Sequence, residues 1–222
     1  MFFVIALSVV CFSIYDQYME CNEIVGRYYA NHMYANWAIM FLTWENVYNC
    51  YMMNFQLDTP SIKTLYDAKG IIYGLHFYHI LMYYTKMRLN DWIHHALMVG
   101  IVMPLTELIP PTAIVGHCLF FINGLPGMID YTLLFLVRNE LLDKHVEKQI
   151  NRHLNIWIRC PGCVITTGFI IINMCMYYNT MTELQIAAAS IMAVSVYWNG
   201  IYYMDQVVRD YSLTYISSVQ YN

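Results

Sequence analysis

Apolar residues fall along this chain in seven runs, separated by short polar or proline-bearing breaks. The runs are Phe2–Tyr15, Asn36–Phe55, Gly70–Thr85, Asp91–Ile109, Ala113–Val137, Leu154–Tyr178 and Glu183–Met204. A helix that crosses the hydrocarbon of a bilayer needs about 20 mostly apolar residues, and most of the runs come close to that. The pattern predicts an all-α, multi-pass transmembrane bundle of about seven spans, one domain over residues 1–222. Phe2–Tyr15 is short. No positive stretch precedes it and no small-residue cleavage pattern follows it, so a retained first span is expected over a signal peptide.

The breaks carry their own signals. Asp16–Ala35 is polar and tyrosine-rich, which reads as interfacial, and Gln56–Lys69 reads as a loop marked by Asp58-Thr59-Pro60. Lys86–Asn90 is a short basic turn. Arg138–His153 holds charges of both signs and reads as an interfacial or solvated helix, and Asp205–Asn222 is a polar tail. Within the fifth run, Asn123-Gly124-Leu125-Pro126-Gly127 is a weak point for a helix, because it sets two glycines beside a proline. Inside a bilayer such a break survives only where protein or a cavity surrounds it.

Composition agrees with the pattern. Hydrophobic residues make up 59% and charged residues only 12%, against about a quarter charged in soluble domains. The net charge of −4 offers no electrostatic case for nucleic acid. Seven spans put Lys63 and Lys69 on one side. They put Arg27, Lys86, Arg88, Arg138, Lys144, Lys148, Arg152 and Arg209 on the other, with Arg159 at the mouth of span six. By the positive-inside rule the N-terminus lies outside and the C-terminus in the cytoplasm. Seven cysteines, an odd number sitting in apolar runs, imply no disulfide framework. Cys160-Pro-Gly-Cys163 has no second CxxC to complete a zinc site and reads as two membrane-facing thiols around a turn.

The chemistry gathers on a few polar side chains inside the runs. His94 and His95 open the fourth run, His76 and His79 sit three apart in the third, and Glu45 lies in the second. Asn123 and Asp130 are seven apart, on one face of a regular helix. Ionisable groups in a span face a bundle interior, a partner or a water-filled cavity. His94 and His95 are thus candidate catalytic groups, and Asn123, Asp130, His79, His76 and Glu45 are candidate cavity residues. The histidine boxes of iron-dependent lipid enzymes, HxxxH and HxxHH, are absent from the sequence, and no metal or other cofactor is expected.

The paired His94-His95 at the start of an apolar helix resembles the paired histidines of the TLC-domain family, which includes the ceramide synthases. Gly74-Leu-His-Phe-Tyr-His79 is similar to that family's preceding helix. Ala113-Ile-Val-Gly116 is similar to the start of its following helix, and Asn123–Asp130 falls where ceramide synthases carry a His-Asp signature. The motif core is residues 70–138. The chain departs from ceramide synthases at Met98, which replaces a threonine, and at Asn123-Gly124, which replaces the second His-Asp pair. Gly127 and His79 each stand where that family has an aspartate. The resemblance implies a TLC-type fold and a role in lipid handling or lipid metabolism in the endoplasmic reticulum or another internal membrane.

In its sharpest form the resemblance implies N-acyl transfer between acyl-CoA, as co-substrate, and a sphingoid base. Such a reaction needs a base for the amine and a donor for the oxyanion, and His94 and His95 could supply them. Asn123 could donate a hydrogen bond there but cannot take a proton. Two other functions stay open: a non-catalytic lipid-binding regulator of membrane composition, and a metal-dependent lipid hydrolase. Whether the chain is an enzyme, and how it oligomerises, the sequence leaves undecided.

Overall fold

A computed structural model of the protein describes the backbone of residues 1–87 and 89–220, leaving the side chains of residues 90, 91, 94 and 217–220 undescribed. Among the described residues the chain forms helices and no strands. Seven helical rods follow one another: α1 (Phe2–Cys21), α2 (Arg27–Tyr51), α3 (Thr59–Tyr83), α4 (89–108), α5 (Ala113–Arg138), α6 (Lys144–Thr180) and α7 (Glu183–Gln220). Of these, α1, α5, α6 and α7 are long and apolar enough to cross a membrane, and His95–Leu108 of α4 is a shorter apolar helix.

Helices extend well beyond the apolar runs. Residues 59–69 begin α3 where the sequence reads as a loop. Asp58 is the N-cap, accepting from the Ser61 N–H at 2.9 Å, and Pro60 takes a first-turn position where no N–H is needed. The charged segment after Arg138 is likewise continuous with α6, capped by Asp143 through His145 N–H at 2.7 Å. At the other end, α7 continues as helix through the polar tail. Arg209 pairs with Asp205 one turn away, and Lys148 of α6 reaches Asp210 at 2.6 Å.

Three rods carry a π turn: Met98–Val102, Phe120–Gly124 and Asn155–Arg159. Each precedes a proline, Pro104, Pro126 or Pro161, at the start of the next α segment. Proline lacks an N–H and clashes with the carbonyl four residues back. One extra residue in the turn absorbs both defects without ending the rod. The expected turn at Cys160-Pro-Gly-Cys163 is accordingly continuous helix, and both thiols are buried between rods instead of facing the membrane.

Small residues set how closely the rods approach. Gly70 and Gly74 of α3 lie against Val4 and Ser8 of α1; a Cβ on Gly70 would come within 2.9 Å of Val4 Cβ. This spacing of small residues lets two helices meet backbone to backbone. The pairings show α1 parallel to α3, and α2 antiparallel to α5 through Asn36–Gly127 and Met40–Gly124. Lys69–Glu107 joins α3 to α4, His117–Thr166 joins α5 to α6, and Gly200–Cys163 joins α7 to α6. Successive rods therefore reverse direction. The α1–α2 turn meets the end of α5, where Asn139 Nδ2 donates to Val25 O at 3.1 Å. At the opposite end Gln56 and Thr112 form an isolated bridge.

Candidate functional site

Several polar side chains of α2 and α3 are turned inward, Asn31, His32, Asn36, His76 and His79 among them. On α2, Tyr28, His32 and Asn36 recur every four residues and share one face. That face meets His76 and His79 of α3, His95 of α4, and Asn123, Asp130 and Tyr131 of α5. Together with Arg159 of α6 and Tyr203 of α7 they enclose a chamber of about 270 Å³. Gly127 is part of its construction, since a Cβ there would stand 2.6 Å from Asn36 Nδ2.

Four imidazoles form the chamber's wall. His79 is 2% exposed and His95 6%. His32 is sandwiched between Tyr131 at 4.2 Å and His79 at 4.4 Å, with interplanar angles of 19° and 20°. His95 stands edge-on to His76 at 5.1 Å and to His79 at 5.6 Å. Two tautomers follow from geometry. His32 Nδ1 lies 3.0 Å from Tyr28 O, and His76 Nδ1 lies 2.8 Å from Ile72 O. A carbonyl only accepts, so Nδ1 donates in both rings and Nε2 carries the basic lone pair.

Beneath the rings lies a polar string. Asn151 Nδ2 donates to Asp130 Oδ1 at 2.7 Å, and Asn155 Nδ2 donates to Asn151 Oδ1 at 2.8 Å. Glu147, fully buried, lies within 3.4 Å of both Asn151 and Lys148, and Lys148 continues to Asp210. Arg159 joins the two π turns near the chamber. Its Nη2 donates at 2.8 Å to Ile122 O, the carbonyl that Pro126 cannot serve, and its guanidinium lies 4.4 Å from the Tyr203 ring.

A second cavity of about 560 Å³ adjoins the chamber at the end that carries Arg27, Lys86 and Arg138. Both cavities are lined by Tyr28, His79, His95, Asp130 and Tyr131, so the larger one is a vestibule. A third, of about 430 Å³, lies at the opposite end against Phe55, Pro110, Pro111 and Met192. It has no histidine or charged side chain in its lining, and the chemistry therefore resides in the first two.

Of the residues singled out by sequence, the structure brings His76, His79, His95, Asn123 and Asp130 to one chamber. Glu45 is apart from it, exposed on α2. The side chain of His94 lies outside the described residues. His117 is fully buried away from the chamber, 2.7 Å from the Thr166 hydroxyl. Among the described residues no three His, Cys, Asp or Glu side chains stand in a geometry that could hold a metal ion. Tyr28, His32, Asn36, Tyr131, Arg159 and Tyr203 were not anticipated. The four-residue spacing of Tyr28, His32 and Asn36 was the available signal for the first three.

Fold and site together define an all-helical protein with four helices able to cross a membrane and a buried histidine chamber reached from its basic end. The chain matches no protein-family model, no curated protein and no solved structure.

Proposed function

We propose that the chain is a seven-pass membrane protein of the TLC type that handles a lipid, and that the lipid's polar end enters the histidine chamber. The observation that carries this reading is the convergence of His32, His76, His79 and His95 on one cavity within an apolar bundle. Burying four imidazoles is costly unless they serve a ligand or one another. The outer surface supports seven passes. Trp37, Phe41, Trp44 and Tyr48 of α2 face outward, while Asn36, Thr43 and Asn46 face inward. That inversion suits hydrocarbon, and it explains why α2 falls short on hydropathy alone. The excess of positive residues that the sequence assigns to one side favours a cytoplasmic vestibule and an outside N-terminus, and the TLC resemblance favours an internal membrane such as the endoplasmic reticulum.

As an N-acyltransferase the chamber would work as follows. The amine of a long-chain base attacks the thioester carbon of acyl-CoA. An imidazole Nε2 takes the amine proton, Asn123 donates to the oxyanion, and the thiolate leaves with the proton. One observation favours the second reading, a lipid-binding regulator without turnover. The rings are stacked into a wall, and Asn123-Gly124 replaces the family's second His-Asp pair, leaving no further proton-transfer group there. The experiment is to extract lipids from the purified protein, then supply acyl-CoA and a long-chain base. Amide product lost in His95→Ala supports the transferase. Co-purifying lipid without product supports the regulator. Neither lipid nor product ends both readings.

A further inference from the structure

Arg159 brings more hydrogen-bonding capacity to the chamber than the protein uses. Nη2 donates to Ile122 O, and the flat face rests on Tyr203. The Nε–H is buried and has no acceptor among the described residues. A guanidinium only donates, and its unserved Nε–H can meet an oxygen of a carboxylate or phosphate in a charge-assisted bond. Asp130 does not occupy it: its Oδ1 is held by Asn151, and no Asp130–Arg159 ion pair forms within 4.0 Å among the described residues. The approach has the same sign. Lys86 and Arg138 line the vestibule, and neither forms an ion pair with a described carboxylate.

We propose that the chamber is an oxyanion site: Arg159 holds the carboxylate or phosphate head of an amphiphile that enters past Lys86 and Arg138. The size agrees. At about 270 Å³ the chamber is smaller than the roughly 300–1,000 Å³ of pockets that enclose a whole drug-sized ligand. It takes a head group and the first few carbons. Among the described residues the chamber holds one carboxylate, Asp130, already engaged by Asn151; Arg159 with Lys86 and Arg138 on the way in leaves the path positive on balance, which favours an anionic head. This inference rests on the lipid-handling reading and adds the charge of the ligand to it.

The test is equilibrium binding to the full chain in nanodiscs. The probes are oleate, oleoyl lysophosphatidic acid, inorganic phosphate, neutral monoolein and sphingosine. The expected result is that an anionic amphiphile binds about tenfold or more tightly than monoolein, the value of one charge-assisted pair. Competition by inorganic phosphate would identify phosphate as the head group, and its absence with tight oleate binding would identify carboxylate. Arg159→Ala should erase the preference. Arg159→Lys, which keeps the cation but loses the Nε–H, should cut the preference at least about threefold. An unaltered preference in Arg159→Lys overturns the proposal, whether or not the alanine variant folds. So does equal or tighter binding of monoolein or sphingosine by the wild type, although the lipid reading would then stand. If no amphiphile binds, both fall.

Discussion

The rod that carries His95 is fastened to α3 at two points, and the far one can be weighed. Lys69 of α3 is 4% exposed, and its ammonium lies 2.5 Å from Glu107 Oε1 of α4. Its other contacts are weak: Thr106 O at 3.4 Å and the Tyr66 ring at 5.3 Å. Glu107→Leu therefore strands a buried cation. Removing one partner of a buried pair costs about 3–5 kcal/mol, whereas replacing both by apolar groups is near neutral. The Glu107 side chain is 30% exposed, which places the cost near the lower bound, about 3 kcal/mol. Lys69→Met leaves that half-exposed carboxylate facing an apolar side chain, and about 1 kcal/mol is expected. The double variant Lys69→Met/Glu107→Leu should return to within about 1 kcal/mol of wild type. The resulting coupling, about 3–4 kcal/mol, is what a double-mutant cycle measures. The assay is reversible unfolding in mixed micelles, followed by circular dichroism. Additive losses, with coupling below about 0.5 kcal/mol, would refute the argument that this pair holds α4 against α3.

Three further substitutions probe the chamber directly. Gly127→Ala sets a methyl 2.6 Å from Asn36 Nδ2. It should cost about 1–3 kcal/mol by overpacking and weaken ligand binding as Asn36 is driven inward, read as a lower unfolding midpoint and reduced lipid retention. Asn151→Leu removes the donor to Asp130 and the acceptor of Asn155. Asn155 keeps its bond to the Asn151 backbone carbonyl at 2.9 Å, so the cost is that of leaving Asp130 Oδ1 unserved, about 1–3 kcal/mol, and a wild-type midpoint would count against the string. His95→Ala should lower lipid retained per protein by mass spectrometry, since the ring lines both the chamber and the vestibule.

Much of the fold was legible because apolar runs of helical length are set by the bilayer rather than by tertiary detail. The inward histidines His76, His79 and His95 followed from the cost of a polar group in hydrocarbon. What escaped did so for physical reasons. His32 lies in a stretch whose low hydropathy reads as interface, because side chains turned toward a wet interior and side chains turned toward water have the same composition. The helix over residues 59–69 was signalled by Asp58 and Pro60, but capping signals carry no weight when segments are sorted by apolarity. The straight passage through Cys160-Pro-Gly-Cys163 depends on a π turn, which leaves no residue signature. Arg159 could not be found at all from its own helix: its seat depends on a carbonyl that Pro126, on another rod, fails to serve.

That last dependence bears on where function lies. An extra residue in a π turn rotates everything beyond it by about one residue's arc, so the turns decide which side chains face inward. Two of the three border the chamber, and each supplies a polar lining residue: Asn123 sits in one and Arg159 in the other. Arg159 then bonds back to Ile122 in the opposite turn, so the two distortions support each other. At the far end, the 430 Å³ cavity is bounded by connecting segments and rod ends, and no π turn contributes a side chain to it. Backbone irregularity persists where the surroundings stabilise it, and it concentrates at sites of action. Histidines, buried charge and paired π turns converge on the smaller chamber, which is therefore the place to look for a ligand.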